Sequence, residues 1–253
     1  MTISCPITDA LAACESGHWK SERSLRPGGI DLTVRAIALC RLSAGARVLD
    51  LGCGSGESTE YLSSTFRFKA IGMDLSASAC RSSRQRDRAL AIVRADAVRL
   101  PFASASMDAL LAECVLSIID DKAAVLAECN RVLKPGGRLA ITDLYARNPE
   151  ALGRLRIQPT VCVSGMIARA ELEAELAKQN SVMQVWEDHT DCLREWVARC
   201  VFEHGSPDWL WKSSHMNADE SQQISAALKA ARPGYFLLVA CKHQEPVHRG
   251  QPS

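Results

Sequence analysis

Short apolar runs recur along the chain, each bounded by polar or turn-forming residues. RVLDL (47–51), FKAIGMDL (68–75), LAIVRADAV (90–98), MDALLAECVLSI (107–118) and RLAITDLY (138–145) read as five strands. Helical stretches separate them. One follows from Ser58, and another lies within DDKAAVLAECNRVLKPGG (120–137). There Asp120 or Asp121 can cap a helix with Val125, Leu126, Cys129, Val132 and Leu133 on one face, and Pro135 and Gly136 stop it. Strand and helix in alternation predict βαβ units and a parallel sheet covered on both faces.

The last third changes character. VMQVWEDHT (182–190) and YFLLVACK (235–242) read as two further strands. Between them a helical segment, CLREWVARC, leads into HGSPDWLWKSSH, a stretch holding Trp196, Trp209 and Trp211. The expected architecture is α/β: a doubly wound sheet of seven strands, mostly parallel with the last antiparallel, and a helical insertion between strands six and seven. The whole of 1–253 is expected to form one domain, with an N-terminal cap or helix (1–44), a cofactor-binding core (45–145) and a substrate-side region (146–253).

Composition narrows the partners. A chain of 253 residues, 47% hydrophobic, is long enough to bury a core of its own, and its formal net charge of +1 offers no footprint for nucleic acid or an anionic membrane. No run approaches the roughly 18 to 20 apolar residues of a membrane span, and MTISCPITDA lacks a signal peptide's basic start and apolar run. The expected location is cytoplasmic. Eleven cysteines without a CxxC pair speak for reduced thiols and against a disulfide framework or a zinc ribbon; no metal site is expected.

The chemistry concentrates in VLDLGCGSG (48–56). Glycines behind a strand let backbone approach a ligand closely. The dinucleotide fingerprint GxGxxG would need a glycine at the sixth position from Gly52, and Glu57 stands there, its carboxylate where a diphosphate needs room. The nicotinamide reading weakens, and without a lysine in the turn a P-loop is excluded.

Asp50-x-Gly52-Cys53-Gly54-Ser55-Gly56 resembles the first motif of class I S-adenosylmethionine-dependent methyltransferases of the type 11 kind. Asp74, 22 residues beyond Gly52, matches the acid that accepts the two ribose hydroxyls in that family, and Asp96 in RADAVRLPF matches the acid that reads the adenine amino group. RVLKPGGRLAITD resembles the signature before and within the fifth strand. The resemblance covers about 45–145. It implies S-adenosylmethionine as cofactor, held by Asp50, Gly52, Cys53, Gly54, Gly56, Asp74, Leu75, Asp96, Ala97 and Glu113 across the carboxyl ends of the first strands. Cys53 also reads as a small filler of the turn.

For the acceptor, no NPPY-like motif stands on the fourth strand. That strand, the Asp120-Asp121-Lys122 turn and the following helix are similar to arsenite methyltransferases. Cys162, followed by Gly165, lies where that family has a cysteine, paired glycines and a helix; Val201 and Phe202 follow Cys200 as arginine and phenylalanine follow the family's second cysteine. The resemblance implies Cys162 and Cys200 as thiolate ligands of a soft, thiophilic As(III) acceptor. SGM replaces the paired glycines, and the family's further cysteines have no fixed counterparts among Cys5, Cys14, Cys40 and Cys53. Cys200 also falls on a helical apolar face with Cys192, Leu193, Trp196, Val197 and Val201, where it would pack as core.

Glu187, Asp188, His189, His204 and His215 are polar residues that could face an acceptor, or be solvated. In RPGGIDL, Gly28-Gly29 before a helix capped by Asp31 would give a hinge over the cofactor, or a plain helix start. Three functions remain open: methyl transfer to a soft acceptor such as arsenite; methyl transfer to an oxygen, nitrogen or carbon of a small metabolite; and cofactor binding without turnover.

Overall fold

The computed structural model describes residues 26–152, 165–205 and 218–243. In chain order these form α1 (Gly29–Cys40), β1 (Arg47–Leu51), α2 (Glu57–Ser64), β2 (Lys69–Asp74), α3 (Ala77–Arg86), β3 (Ala91–Arg94), β4 (Met107–Glu113), α4 (Lys122–Val132), β5 (Leu133–Ala146), α5 (Arg169–Lys178), β6 (Ser181–Asp188), α6 (Thr190–His204), α7 (Ala218–Ala231) and β7 (Pro233–Lys242). One seven-stranded sheet has the order β3-β2-β1-β4-β5-β7-β6. Pairings from β3 through β5 are parallel, while β7 runs antiparallel between β5 and β6. The chain therefore reverses direction across the sheet at β1 and β4, where a doubly wound fold opens a crevice at the carboxyl ends of its strands.

Alternation along the strands sorts the core into two layers. Val48, Ala109, Leu111, Ala140 and Leu237 pack on the face carrying Ile30, Val34 and Ile37 of α1 and Leu62 of α2. Leu49, Leu51, Leu110, Ile141 and Phe236 pack on the opposite face against Val125, Leu126 and Cys129 of α4 and Leu172 and Leu176 of α5. The α4 helix starts where the sequence placed it, Asp121 accepting the Ala124 N–H at 2.9 Å.

The boundaries differ in instructive ways. α4 ends at Val132, before Pro135, because Leu133 already pairs with Met107; the register then shifts across Pro135 and Gly136 to Ala109 and Arg138, so β5 begins five residues before the expected Arg138. β3 stops at Arg94 because Asp96 turns the chain, accepting the Val98 N–H at 3.1 Å. β4 stops at Glu113: Cys114 is left-handed (φ 56°), and a 3₁₀ turn at Leu116–Ile118 follows. Asp31 does not cap α1. The cap position is Gly28 (φ 74°), without a side-chain bond, and Asp31 lies inside the first turn, because the left-handed Gly28 has already begun the helix.

Candidate cofactor cleft

Asp50 points from β1 into the face covered by α2, where its Oδ2 accepts the Thr59 hydroxyl at 2.6 Å; the residue is 2% exposed. Beyond it the chain turns on glycines. Gly52 is left-handed (φ 70°), and a Cβ there would stand 2.5 Å from Val115 Cγ2. The amides of Gly52 and Cys53 both donate to Met73 O, at 2.7 and 3.0 Å, which fastens the turn to β2. Gly54 (φ 53°) is different: nothing lies within 4 Å of its Cβ position, and it lines an open cleft of about 530 Å³.

Asp74, at the end of β2, braces the same turn. Its Oδ2 accepts Gly54 N–H at 2.9 Å and its Oδ1 accepts Ser76 N–H at 2.8 Å, each oxygen keeping a second acceptor position. Asp96 lies two residues beyond Arg94, the β3 partner of Asp74. Around these acids Leu75 and Val98 are 62% and 39% exposed, an apolar pair at the sheet's carboxyl edge, with half-buried Ala97 between Asp96 and Val98. Of the residues expected to hold a cofactor, Asp50, Gly52, Cys53, Gly54 and Glu113 line the cleft, while Gly56, Asp74, Leu75, Asp96 and Ala97 stand near the carboxyl ends of β1, β2 and β3 outside its lining.

On the β4 side, Glu113 accepts the Thr33 hydroxyl of α1 at 2.8 Å and the Ser58 hydroxyl of α2 at 2.5 Å. Between these groups runs Arg26, which sequence reasoning had passed over. Its guanidinium meets Glu57 at 3.2 Å, Thr33 at 2.8 Å, Ser58 at 2.9 Å and Glu113 at 3.3 Å. A lone arginine before Pro27 carries no periodic signal; only the fold brings it to residues more than thirty positions away. Cys114, also passed over, lines the cleft with its sulfur 3.1 Å from the buried Tyr235 hydroxyl.

Burial pushes the Asp50 carboxyl up to about 7, the charge of Glu113 adding to the effect, the Thr59 hydrogen bond and Arg26 opposing it. A carboxyl raised in this way keeps its proton in the folded chain where the unfolded chain has lost it. Its contribution to stability therefore falls as pH rises from about 4 to about 7, at most by roughly 1.4 kcal/mol per pH unit. Asp50→Asn should remove that slope, so its urea midpoint should gain on wild type between pH 5 and pH 8; an equal difference at both pH values would count against a raised Asp50.

The other candidates fall elsewhere. Glu187 pairs with Arg35 and with His189 at 3.0 Å, and Asp188 binds the Tyr145 hydroxyl at 2.8 Å, Arg147 at 2.7 Å and Thr190. Despite its partial burial, the hydrogen bonds from Thr190, Tyr145 and Arg147 hold Asp188 well below the usual carboxylate range. Cys200 is 6% exposed on the inner side of α6, and burial pushes its thiol up. Cys5, Cys14, Cys162, Trp209, Trp211 and His215 lie outside the described residues, as does the side chain of His204. Among the described residues no group of three or more His, Cys, Asp or Glu could hold a metal ion, and no helix is long and apolar enough to cross a membrane.

Residues 49–141 match the family model described as "Methyltransferase domain". The chain is 35% identical over 162 residues to the O-methyltransferase resE of Aspergillus sclerotiorum, covering 58% of this chain and 61% of that protein. It is 33% identical over 144 residues to the 27-O-demethylrifamycin SV methyltransferase of Amycolatopsis mediterranei, covering 54% and 53%. The matched segments thus span about half to three-fifths of these relatives. The Rossmann-like methyltransferase fold recurs in the [4+2]-cyclase SpnF (TM-score 0.68, 20% identity, 94% of both chains). It recurs also in Haemonchus contortus phosphoethanolamine N-methyltransferase 2 in complex with S-adenosyl-L-methionine (TM-score 0.64, 18% identity, 93% of this chain and 57% of that one).

Proposed function

We propose that this chain, with a methyltransferase-domain match at 49–141, is an S-adenosylmethionine-dependent methyltransferase acting on a small-molecule acceptor. The observation that carries the reading is the joint hold of Asp74 and the glycine turn. An acid with acceptor positions to spare stands at Gly54, whose missing Cβ keeps the cleft open, with Asp50, Glu57 and Glu113 further along the wall. Such a cleft suits a ribose diol followed by a cationic chain. Its lining holds the cations Arg26 and Arg86 and no lysine.

When bound, the cofactor supplies an electrophilic methyl group on a sulfonium. The chain's share is placement, because in-line displacement gains most from holding the acceptor close and aligned. Asp74 takes the ribose, Asp96 the adenine amino group, Leu75 and Ala97 the faces of the base, and Asp50, Gly52, Cys53, Gly54, Gly56 and Glu113 shape the remainder.

The finer reading is a soft acceptor, arsenite or a related metalloid, held between Cys162 and Cys200, and it rests on the sequence resemblance. The alternative is transfer to an oxygen, nitrogen or carbon of a small metabolite, and the names of the relatives favour oxygen. Cofactor binding without methyl transfer is a third reading, since a fold alone does not fix a reaction. Titrating reduced protein with arsenite, followed by tryptophan fluorescence, separates them. Saturable quenching that vanishes in both Cys162→Ser and Cys200→Ser supports the metalloid. No response, with methyl transfer from labelled S-adenosylmethionine to a phenol or amine panel, removes it. Cofactor binding with no transfer to any acceptor supports the third reading.

A further inference from the structure

We infer that the bowl at the amino ends of β1, β4 and β5, at the far end of the sheet from the cleft, is a second ligand site, which takes a phosphate dianion through Arg41, Lys134 and Arg138. It does not depend on what fills the cleft.

Two loops make the bowl. α1 ends at Cys40, and Arg41 closes it in the left-handed region (φ 52°) before residues 42–46 lead into β1. Facing that loop, the chain leaves the β4 ladder after Leu133 and rejoins it at Arg138, so Lys134, Pro135, Gly136 and Gly137 bow out of the pairing. Between the loops lies a cavity of about 430 Å³, with Asp108 of β4 in its wall. Gly45 leaves it open, since nothing lies within 4 Å of its Cβ position. The length of β1, about 13 Å of strand, separates this end from the glycine turn.

Charge identifies the ligand class. Three cations line the bowl against one acid, a formal surplus of two. The acid is already engaged: Asp108 Oδ1 accepts Lys134 Nζ at 2.6 Å and Oδ2 accepts the Arg47 N–H at 2.8 Å, and despite partial burial these bonds hold its carboxyl below the usual carboxylate range. Arg138 gives one N–H to Gln184 at 2.5 Å, and the exposed Arg41 makes no side-chain hydrogen bond or ion pair among the described residues. Most of two planar guanidinium forks is thus uncommitted, and such forks match the oxygens of a phosphate. A phosphate dianion offsets a surplus of two, where a carboxylate offsets half of it. Arg47 and Lys69, exposed and paired in register at the starts of β1 and β2, add to the same field. A cation beyond a helix C-terminus also offsets the helix dipole, which explains Arg41 by itself. Lys134 and Arg138 belong to a strand and its bulge, so the dipole does not account for all three.

The test is calorimetric titration of the full chain with inorganic phosphate, glucose 6-phosphate and glucose at fixed ionic strength. Three proteins are compared: wild type, the double variant Arg41→Gln with Arg138→Gln, and Arg86→Gln, which removes a cation of the cleft instead. Wild type should bind phosphate or its ester saturably, and glucose not at all. The double variant should bind about tenfold more weakly or worse, the loss of at least one charged hydrogen bond, and Arg86→Gln should bind as wild type. Tighter binding of the ester assigns the site to a phosphorylated metabolite; no preference for the ester assigns it to free phosphate. The inference is overturned if neither phosphate binds saturably, if the double variant binds as wild type, or if Arg86→Gln abolishes binding, which would put the anion in the cleft. Arg41→Gln alone, at an exposed position, stands in if the double variant does not fold.

Discussion

Gly52→Val is expected to destabilise the chain by about 3–5 kcal/mol and to abolish S-adenosylmethionine binding, whereas Gly54→Ala is expected to fold and still lose the cofactor. At Gly52 two costs combine. A β-branched residue at φ 70° sits in a region that L side chains avoid, and the new atoms drive into Val115, whose Cγ2 is 2.5 Å from the Cβ position. Nothing can yield cheaply there, because Val115 is buried against the α4 layer. At Gly54 no atom lies within 4 Å, so an added methyl costs only the backbone strain, about 1 kcal/mol. It does, however, occupy the cleft. Urea unfolding and calorimetric titration, run on both variants, separate the two effects; a Gly54→Ala chain that binds as wild type would show that the cofactor does not pass over this backbone.

Asp74→Ala should lower S-adenosylmethionine affinity by 100-fold or more, with Asp74→Asn intermediate. The alanine loses the acceptors for the ribose diol and at the same time releases Gly54 N–H and Ser76 N–H, two bonds to a charged group worth about 1.5–3 kcal/mol each. The turn loosens where it must be rigid. Asparagine keeps one acceptor oxygen and can hold one of the two amides. Equal binding by wild type and Asp74→Ala, measured by the same titration, would move the ribose elsewhere in the cleft.

How much of this was legible in the sequence depends on the range of the forces involved. Strands β1, β2 and β4 lie within or close to their apolar runs because burial on both faces of a parallel sheet writes a continuous apolar stretch, and β7, antiparallel but central between β5 and β6, is buried on both faces too. The glycine turn was legible because a tight strand-to-helix turn with left-handed backbone demands residues without a Cβ, whereas the bond from Gly54 N–H to Asp74 shows only in the fold. Asp31 misled: an acid near a helix start resembles a cap, and the left-handed Gly28 took that position without a side chain. The early start of β5 depends on Leu133 finding Met107, a tertiary pairing that overrides the break expected from Pro135 and Gly136. Arg26 was illegible for a similar reason. Its partners Thr33, Ser58, Glu57 and Glu113 lie on three elements, and no local pattern announces their meeting.

The position of β7 also matters while the chain is being made. It sits between β5 and β6, pairing with β5 from Ala146 back to Arg138, yet it leaves the ribosome only after residues 147–232. Until then the long apolar β5 presents an open row of amides and carbonyls, the kind of edge that recruits strands from other chains. Synthesis that stalls before Pro233 should therefore yield a nascent chain prone to aggregation or dependent on chaperones, although the residues that shape the cleft have already emerged.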